Sequence, residues 1–254
     1  MKLSENTILI TGGGSGIGRA LAEKFQGSGN KVIITGRNKE KLDAVITQNP
    51  GMEARVLDIA DGDAILKFAE DRKKEYPDLN VVIHNAGIMD TEKIGVTDIS
   101  VAEQQVVTNL LGPIRLNSAL LAGLLEKEES TIMTVTSGLA FMPLSLNPTY
   151  SATKAAIHSY TESLRYQLKD STVQVIELVP PYVRTGLTGE RQASDPMAMP
   201  LEDFISEVWT ILEKNPKVNE VLVERVGMQR TAASSGEYDA RYKNFNDMMV
   251  KARS

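Results

Sequence analysis

Cysteine does not occur in the 254 residues, which excludes disulfide cross-links, thiol nucleophiles and thiolate metal sites. Histidine occurs twice, as His84 and His158, and two residues so far apart in the chain give no metal-ligand spacing, so no metal is expected. Positive charge is not in excess: 28 Lys and Arg face 33 Asp and Glu, for a net charge of -5. Nucleic acids and anionic membrane surfaces select basic patches, so neither is expected as a partner. No apolar run approaches the roughly 20 residues a membrane-spanning helix needs. The opening Met1-Lys-Leu-Ser-Glu-Asn also lacks the apolar core of a secretory leader. The expectation left standing is a cytoplasmic protein that acts on a small molecule.

What is present is a regular alternation of short apolar runs with helical patterns. The runs at 7–11, 31–35, 53–58, 81–84, 131–136, 173–179 and 220–224 read as strands. Helices are expected from Ile17, from Asn38, from Asp61 to Glu75, from Ser100, around Tyr150, and from Leu201 to Lys214. Ser100-Val-Ala-Glu103 has the form of a reciprocal capping box. The order predicts an α/β, Rossmann-type doubly wound parallel sheet of about seven strands in a single domain over 1–254. Such sheets bind dinucleotides beyond the carboxyl ends of their strands.

Three strand ends carry chemistry. The first strand runs into Thr11-Gly-Gly-Gly-Ser-Gly-Ile-Gly18 at a helix start. Glycines there let the backbone turn sharply and approach a pyrophosphate, which unpaired helix N-H groups then hold. The second strand ends Thr35-Gly36-Arg37. An NAD site commonly offers a carboxylate to the ribose 2′-hydroxyl there, whereas Gly36 offers none and the Arg37 guanidinium suits a 2′-phosphate. The fifth strand ends at Ser137, thirteen positions before Tyr150.

Tyr150 is the only one of seven tyrosines followed by a lysine at the fourth position, Lys154. Residues four apart share one face of a helix. A neighbouring ammonium stabilises a phenolate, so Lys154 is expected to draw the Tyr150 pKa below its ordinary value of ~10. Tyr150 is then a candidate general acid/base.

Taken together, Thr11-Gly12-x-x-x-Gly16-x-Gly18, Asn85-Ala86-Gly87, Ser137 and Tyr150-x-x-x-Lys154 resemble the short-chain dehydrogenase/reductase family, over about residues 7–185. The resemblance implies Ser137, Tyr150, Lys154 and Asn109 as catalytic residues. It implies contacts to NADP(H) from Thr11, Gly12, Gly14, Ser15, Gly16, Ile17, Gly18, Arg37, Asp58, Ile59, Asn85, Ala86, Gly87, Pro180, Val183 and Thr185, besides Tyr150 and Lys154. Asp58 would face the adenine. Asn109 would hold a proton-relaying water through its main chain, and Pro113 cannot donate to the Asn109 carbonyl because it has no N-H. His84 and Pro181 depart from the family pattern, and His84 reads as structural. The family also implies a homodimer or homotetramer.

The substrate side is less patterned. Leu139, Phe141, Met142, Leu144 and Leu146 between Ser137 and Tyr150 either line a pocket or pack an oligomer contact. Ser137, Leu139, Tyr150 and Tyr182 are the candidate substrate contacts, and Arg184 is the candidate partner for a charged substrate. Residues 186–200 read as a flap or a surface loop, and 237–254 as a docking helix. The activity expected is hydride transfer between NADP(H) and an apolar ketone or aldehyde. The alternatives are a related epimerase or dehydratase and a non-catalytic NADP(H) sensor.

Overall fold

The structure, a computed structural model, describes residues 1–253. Seven parallel strands form one sheet: β1 (Thr7–Thr11), β2 (Lys31–Gly36), β3 (Glu53–Val56), β4 (Leu79–His84), β5 (Ser130–Val135), β6 (Val173–Val179) and β7 (Glu220–Leu222). Their order is β3-β2-β1-β4-β5-β6-β7, so the winding reverses between β1 and β4. The helices are α1 (Gly16–Gly27), α2 (Lys39–Gln48), α3 (Gly62–Glu75), α4 (Ile99–Val106), α5 (Gly112–Leu125), α6 (Pro148–Gln167), α7 (Glu190–Ser194), α8 (Leu201–Lys214), α9 (Gly227–Arg230) and α10 (Tyr238–Arg253). The α10 range lies within the expected docking segment, whose last residue, Ser254, lies outside the described residues.

Successive strand residues point to opposite faces, so strands apolar throughout feed two cores. Ile8 and Ile10 of β1 pack with Leu21 and Phe25 of α1 and with Phe204 and Trp209 of α8. Leu9, between them, packs on the other face with Ile65 of α3, Leu120 of α5 and Leu164 of α6. Both faces are thereby covered, as the doubly wound reading requires.

Several boundaries differ from expectation. β3 stops at Val56 and β7 at Leu222, each two residues early. At the first, Leu57 still donates its N-H to Gly36, after which Asp58 turns the chain by accepting from the Ala60 N-H. The start of α4 is capped by Asp98, whose carboxylate accepts from the Ser100 N-H at 2.8 Å, and not by a Ser100–Glu103 box. Asp98 reaches the helix start first and leaves Ser100 inside the first turn. Between α4 and α5 the helix widens to a π-turn over Val107–Leu111, where the Gly112 N-H donates to the Val107 carbonyl. A Cβ on Gly112 would lie 2.6 Å from the Ile59 carbonyl oxygen, so the widened turn ends where only glycine fits.

Candidate active site

A cleft of about 270 Å³ opens at the carboxyl ends of β1, β2, β4, β5 and β6, at the winding reversal. Its floor is the turn from Thr11 to Gly18. Gly12 has φ 69°, and a Cβ there would lie 2.9 Å from both the Ala86 Cα and the Asn85 Nδ2. A Cβ on Gly18 would lie 2.5 Å from the Gly12 carbonyl oxygen and closer still to Asn85. Thr11 locks the turn by accepting from the N-H groups of Asn85 and Ala86, each at 3.0 Å. Asn85 returns bonds to the carbonyls of Thr11 and Gly12. The N-terminus of α1 carries no acidic residue in its first turn, and the Ser15 side chain makes no cap bond. The cradle therefore presents a helix start with unquenched positive polarity.

Of the expected cofactor contacts, Thr11, Gly12, Ser15, Gly16, Ile17, Arg37, Ile59, Asn85, Ala86, Gly87, Pro180, Val183 and Thr185 line this cleft. Gly14, Gly18 and Asp58 do not. Gly14 faces Lys41 and Leu42 of α2, Gly18 makes the close approach to Asn85, and Asp58 spends its carboxylate on Ala60. Arg37 is exposed and makes no ion pair among the described residues. Gly36 beside it leaves the corresponding wall without a carboxylate.

Ser137, Tyr150 and Lys154 converge on the cleft. The Ser137 hydroxyl faces the Tyr150 phenol across the cleft lining and accepts from the Leu139 N-H at 3.1 Å. Lys154 Nζ lies 5.6 Å from the Tyr150 ring centre and donates to the Val135 carbonyl at 2.8 Å. Contrary to expectation, the Tyr150 pKa is not depressed: burial pushes it up to about 12, with the Ser137 hydroxyl opposing. The reason is geometric, since the ammonium binds a backbone carbonyl and not the phenol. Burial also brings Lys154 down to about 8 against the pull of Glu177.

Asn109, on the π-turn, stays outside the cleft lining. Its side chain accepts from the Ile88 N-H and donates to the Ile88 carbonyl, both at 2.9 Å, and donates to Thr153 at 3.2 Å. It thereby ties the strand end after Asn85 to α6. His84 is buried and bonds Asn117 of α5 at 2.6 Å, which agrees with its structural reading. Burial lowers its pKa to about 4. His158 does join a cluster, which its isolation in sequence hid. It meets Glu177 and Glu220 within 4.8 Å, and Arg230 already donates to both oxygens of Glu220.

A second cleft, of about 200 Å³, adjoins the first. Leu139, Leu144 and Tyr182 line it, as do Met89, Met197, Arg225, Met228, Gln229 and the α10 residues Phe245, Met248 and Met249. Of the five apolar residues between Ser137 and Tyr150, Phe141, Met142 and Leu146 do not line this cleft. Met142 is fully buried, and Phe141 packs on the core and edge-on to His158. Leu146 is half-buried, and its carbonyl accepts from the Glu92 N-H. Arg184 is not at this cleft; its N-H bonds the Met199 carbonyl and its Nε is buried. Arg225 is the cation that lines the cleft.

The 186–200 segment is pinned more firmly than a surface loop. Gln192 is buried and donates to the Val183 carbonyl at 2.8 Å, while Met199 pairs with Val183 as a short parallel bridge. Sequence reasoning missed Gln192, Arg225 and the α10 wall. Their positions follow from packing between distant segments, for which the local pattern carries no signal.

Comparison with known proteins agrees with this geometry. The family model for short chain dehydrogenase matches residues 6–196. The chain is 37% identical over 252 residues to the uncharacterized oxidoreductase DltE of Bacillus subtilis (strain 168), covering 97% of this chain and 98% of the other. A short chain dehydrogenase from Burkholderia cenocepacia J2315 in complex with NADP superposes with a TM-score of 0.81 at 23% identity, covering 95% and 99% of the two chains. A Burkholderia phymatum short chain dehydrogenase/reductase in complex with NAD gives a TM-score of 0.81 at 18% identity, covering 94% and 96%. Among the described residues no helix is long and apolar enough to cross a membrane.

Proposed function

The chain belongs to the short-chain dehydrogenase family and is an oxidoreductase of that family, and on this footing we propose that it reduces an apolar ketone or aldehyde with NADPH, or runs the reverse oxidation. One observation carries the reading. The two clefts share Ser137, Tyr150, Pro181, Leu187 and Gln192, and of these only Ser137 and Tyr150 bear hydroxyl groups. A carbonyl oxygen placed from the apolar cleft toward the cradle meets both hydroxyls where the clefts join.

The cradle fits a dinucleotide: the space at Gly12 and Gly18 is closed to side chains, and the start of α1 is free for a pyrophosphate. NADPH held in this cradle by the turn from Thr11 to Gly18 and by Arg37 would be the source of hydride for the carbonyl carbon. Tyr150 gives its phenolic proton to the oxygen as negative charge develops there. Ser137 donates a hydrogen bond to the same oxygen and keeps it within reach of the phenol. Lys154 carries positive charge beside the phenol, which favours the phenolate left after transfer. Asn109 fixes Ile88 and Thr153, and so the spacing between the cradle and α6. Leu139 and Tyr182 border the substrate; the Tyr182 hydroxyl is bonded to Asp195 at 3.0 Å.

The lining of the second cleft is largely hydrocarbon, so an unpaired anion buried there would be disfavoured. NADPH oxidation, followed by absorbance over a panel of carbonyls, is expected to favour apolar ketones over small keto acids. A preference for keto acids that Arg225→Ala abolishes would show that the cleft is an anion site.

A further inference from the structure

Glu177 lies in the middle of β6 between Ile176 and Leu178, and is the only buried carboxylate among the described residues, at 0% exposure. An acid at a core position is tolerated only with partners. Its partners are Thr136, which donates to one oxygen at 2.7 Å, and His158, whose Nδ1 lies 2.8 and 3.0 Å from the two oxygens. Three consecutive residues at the end of β5 connect this acid to the reacting groups: the Val135 carbonyl binds Lys154, the Thr136 hydroxyl binds Glu177, and the Ser137 hydroxyl faces Tyr150 in the cleft.

The helix repeats the connection. Tyr150, Lys154, His158 and Glu162 fall four residues apart along one face of α6. Tyr150 and Lys154 are buried, the His158 side chain is 17% exposed, and the Glu162 side chain is 55% exposed. The face therefore leads from the phenol to solvent.

We propose that Glu177 is a positioning residue that holds the Lys154 ammonium charged beneath Tyr150, and that His158, by gaining or losing its own proton, sets how much of the Glu177 charge Lys154 feels. This rests on the reading of Tyr150 and Lys154 as the proton-transfer pair. When His158 is protonated it neutralises Glu177, and Lys154 feels little of that carboxylate. When His158 loses its proton, the carboxylate turns its full charge on Lys154. Burial weakens the hold of Lys154 on its proton, and loss of the His158 proton strengthens it.

The groups around His158 are Glu177 on β6, Glu162 and Lys154 on α6, Glu220 on β7 and Arg230 on α9. Phe141 separates Arg230 from His158: its ring centre lies 4.7 Å from the imidazole and 4.7 Å from the guanidinium. Arg230 is paired to Glu220, so the Glu177 bond dominates and raises the His158 pKa against burial.

The test is an NMR pH titration of the Lys154 ε-carbon and the His158 ring in the full chain, with Lys154→Met and His84→Asn identifying the signals. Glu177→Gln keeps hydrogen-bonding capacity toward Thr136 and deletes the charge. It is expected to lower the Lys154 midpoint by about one pH unit and to return His158 toward its ordinary value. His158→Gln is expected to move the Lys154 midpoint upward. Opposite directions mark electrostatic control, because a purely structural contact would loosen the site alike in both variants. A Lys154 midpoint unchanged in both, or displaced in the same direction in both, overturns the proposal. Should Glu177→Gln not fold, an unchanged or lowered midpoint in His158→Gln overturns it alone. The titration needs no substrate. Intact coupling in a protein that turns over no carbonyl would sink the reductase reading and leave this one standing.

Discussion

Arg37 presents an exposed guanidinium at the rim of the cleft, and Gly36 places no carboxylate beside it. A charge-assisted bond to a ribose 2′-phosphate contributes roughly 1.5 to 3 kcal/mol, on the order of tenfold to a hundredfold in affinity. The kcat/KM for NADPH is therefore expected to exceed that for NADH by about that factor, and to lose the advantage in Arg37→Ala or at high salt. Gly36→Asp should reverse it by accepting from the 2′-hydroxyl and repelling the phosphate. Equal use of both cofactors in parent and Arg37→Ala would make Arg37 a solvated surface residue. At this scale the sequence was most legible where spacing fixes geometry. Tyr150 and Lys154 must share a helix face, and Ser137 must close its strand. Glu177 was illegible, because one acid within an apolar strand has no periodic signature and gains meaning only when Thr136 and His158 arrive beside it.

Among the elements, α10 supplies Phe245, Met248 and Met249 to the second cleft yet carries little sequence signal. It is held by Asn246, whose side chain accepts from the Ser145 N-H at 2.6 Å and donates to the Pro143 carbonyl at 3.2 Å. Asn246→Ala leaves two backbone groups unpartnered, at a cost of about 1 to 3 kcal/mol where they are desolvated. The expected outcome is a lower melting temperature and a raised KM for an apolar ketone, with NADPH affinity unchanged. A KM equal to the parental value would mean that α10 does not shape the substrate cleft. The strand at 173–179 and the helix at 201–214 matched their expected limits, because prolines bound them: Pro180 and Pro181 follow the strand, Pro200 precedes the helix and Pro216 follows its cap. The start of α4 did not, because Asp98 and Ser100 are both competent caps and their choice depends on where the incoming loop runs.

Across the whole molecule the two histidines link stability to pH with opposite signs. His84 is neutral and buried, with its pKa lowered to about 4. Its contribution is complete above the unfolded value of about 6.5 and is lost as pH falls toward the folded value, an effect on the order of 3 kcal/mol. His158 has a raised pKa, so its contribution is complete below the unfolded value and is lost as pH rises through the folded one. Urea unfolding of His84→Asn across pH is expected to remove the acid-side loss and leave the alkaline-side loss. Parallel pH dependence in parent and variant would show that His84 does not titrate on unfolding in that range. The doubly wound sheet was legible from the strand–helix alternation. The junction of two clefts was not, since its far wall comes from Arg225, Met228 and α10, which reach it only through tertiary packing.

Proton transfer by Tyr150 at that junction is the central claim, and Tyr150→Phe measures it most directly. The substitution deletes the hydroxyl and keeps the ring, so NADPH affinity by fluorescence titration should remain near the parental value. Turnover of a competent apolar ketone should fall by about a hundredfold or more, as expected when a general acid is lost, with the loss in kcat. A variant that binds NADPH normally and keeps a near-parental kcat would contradict the assignment.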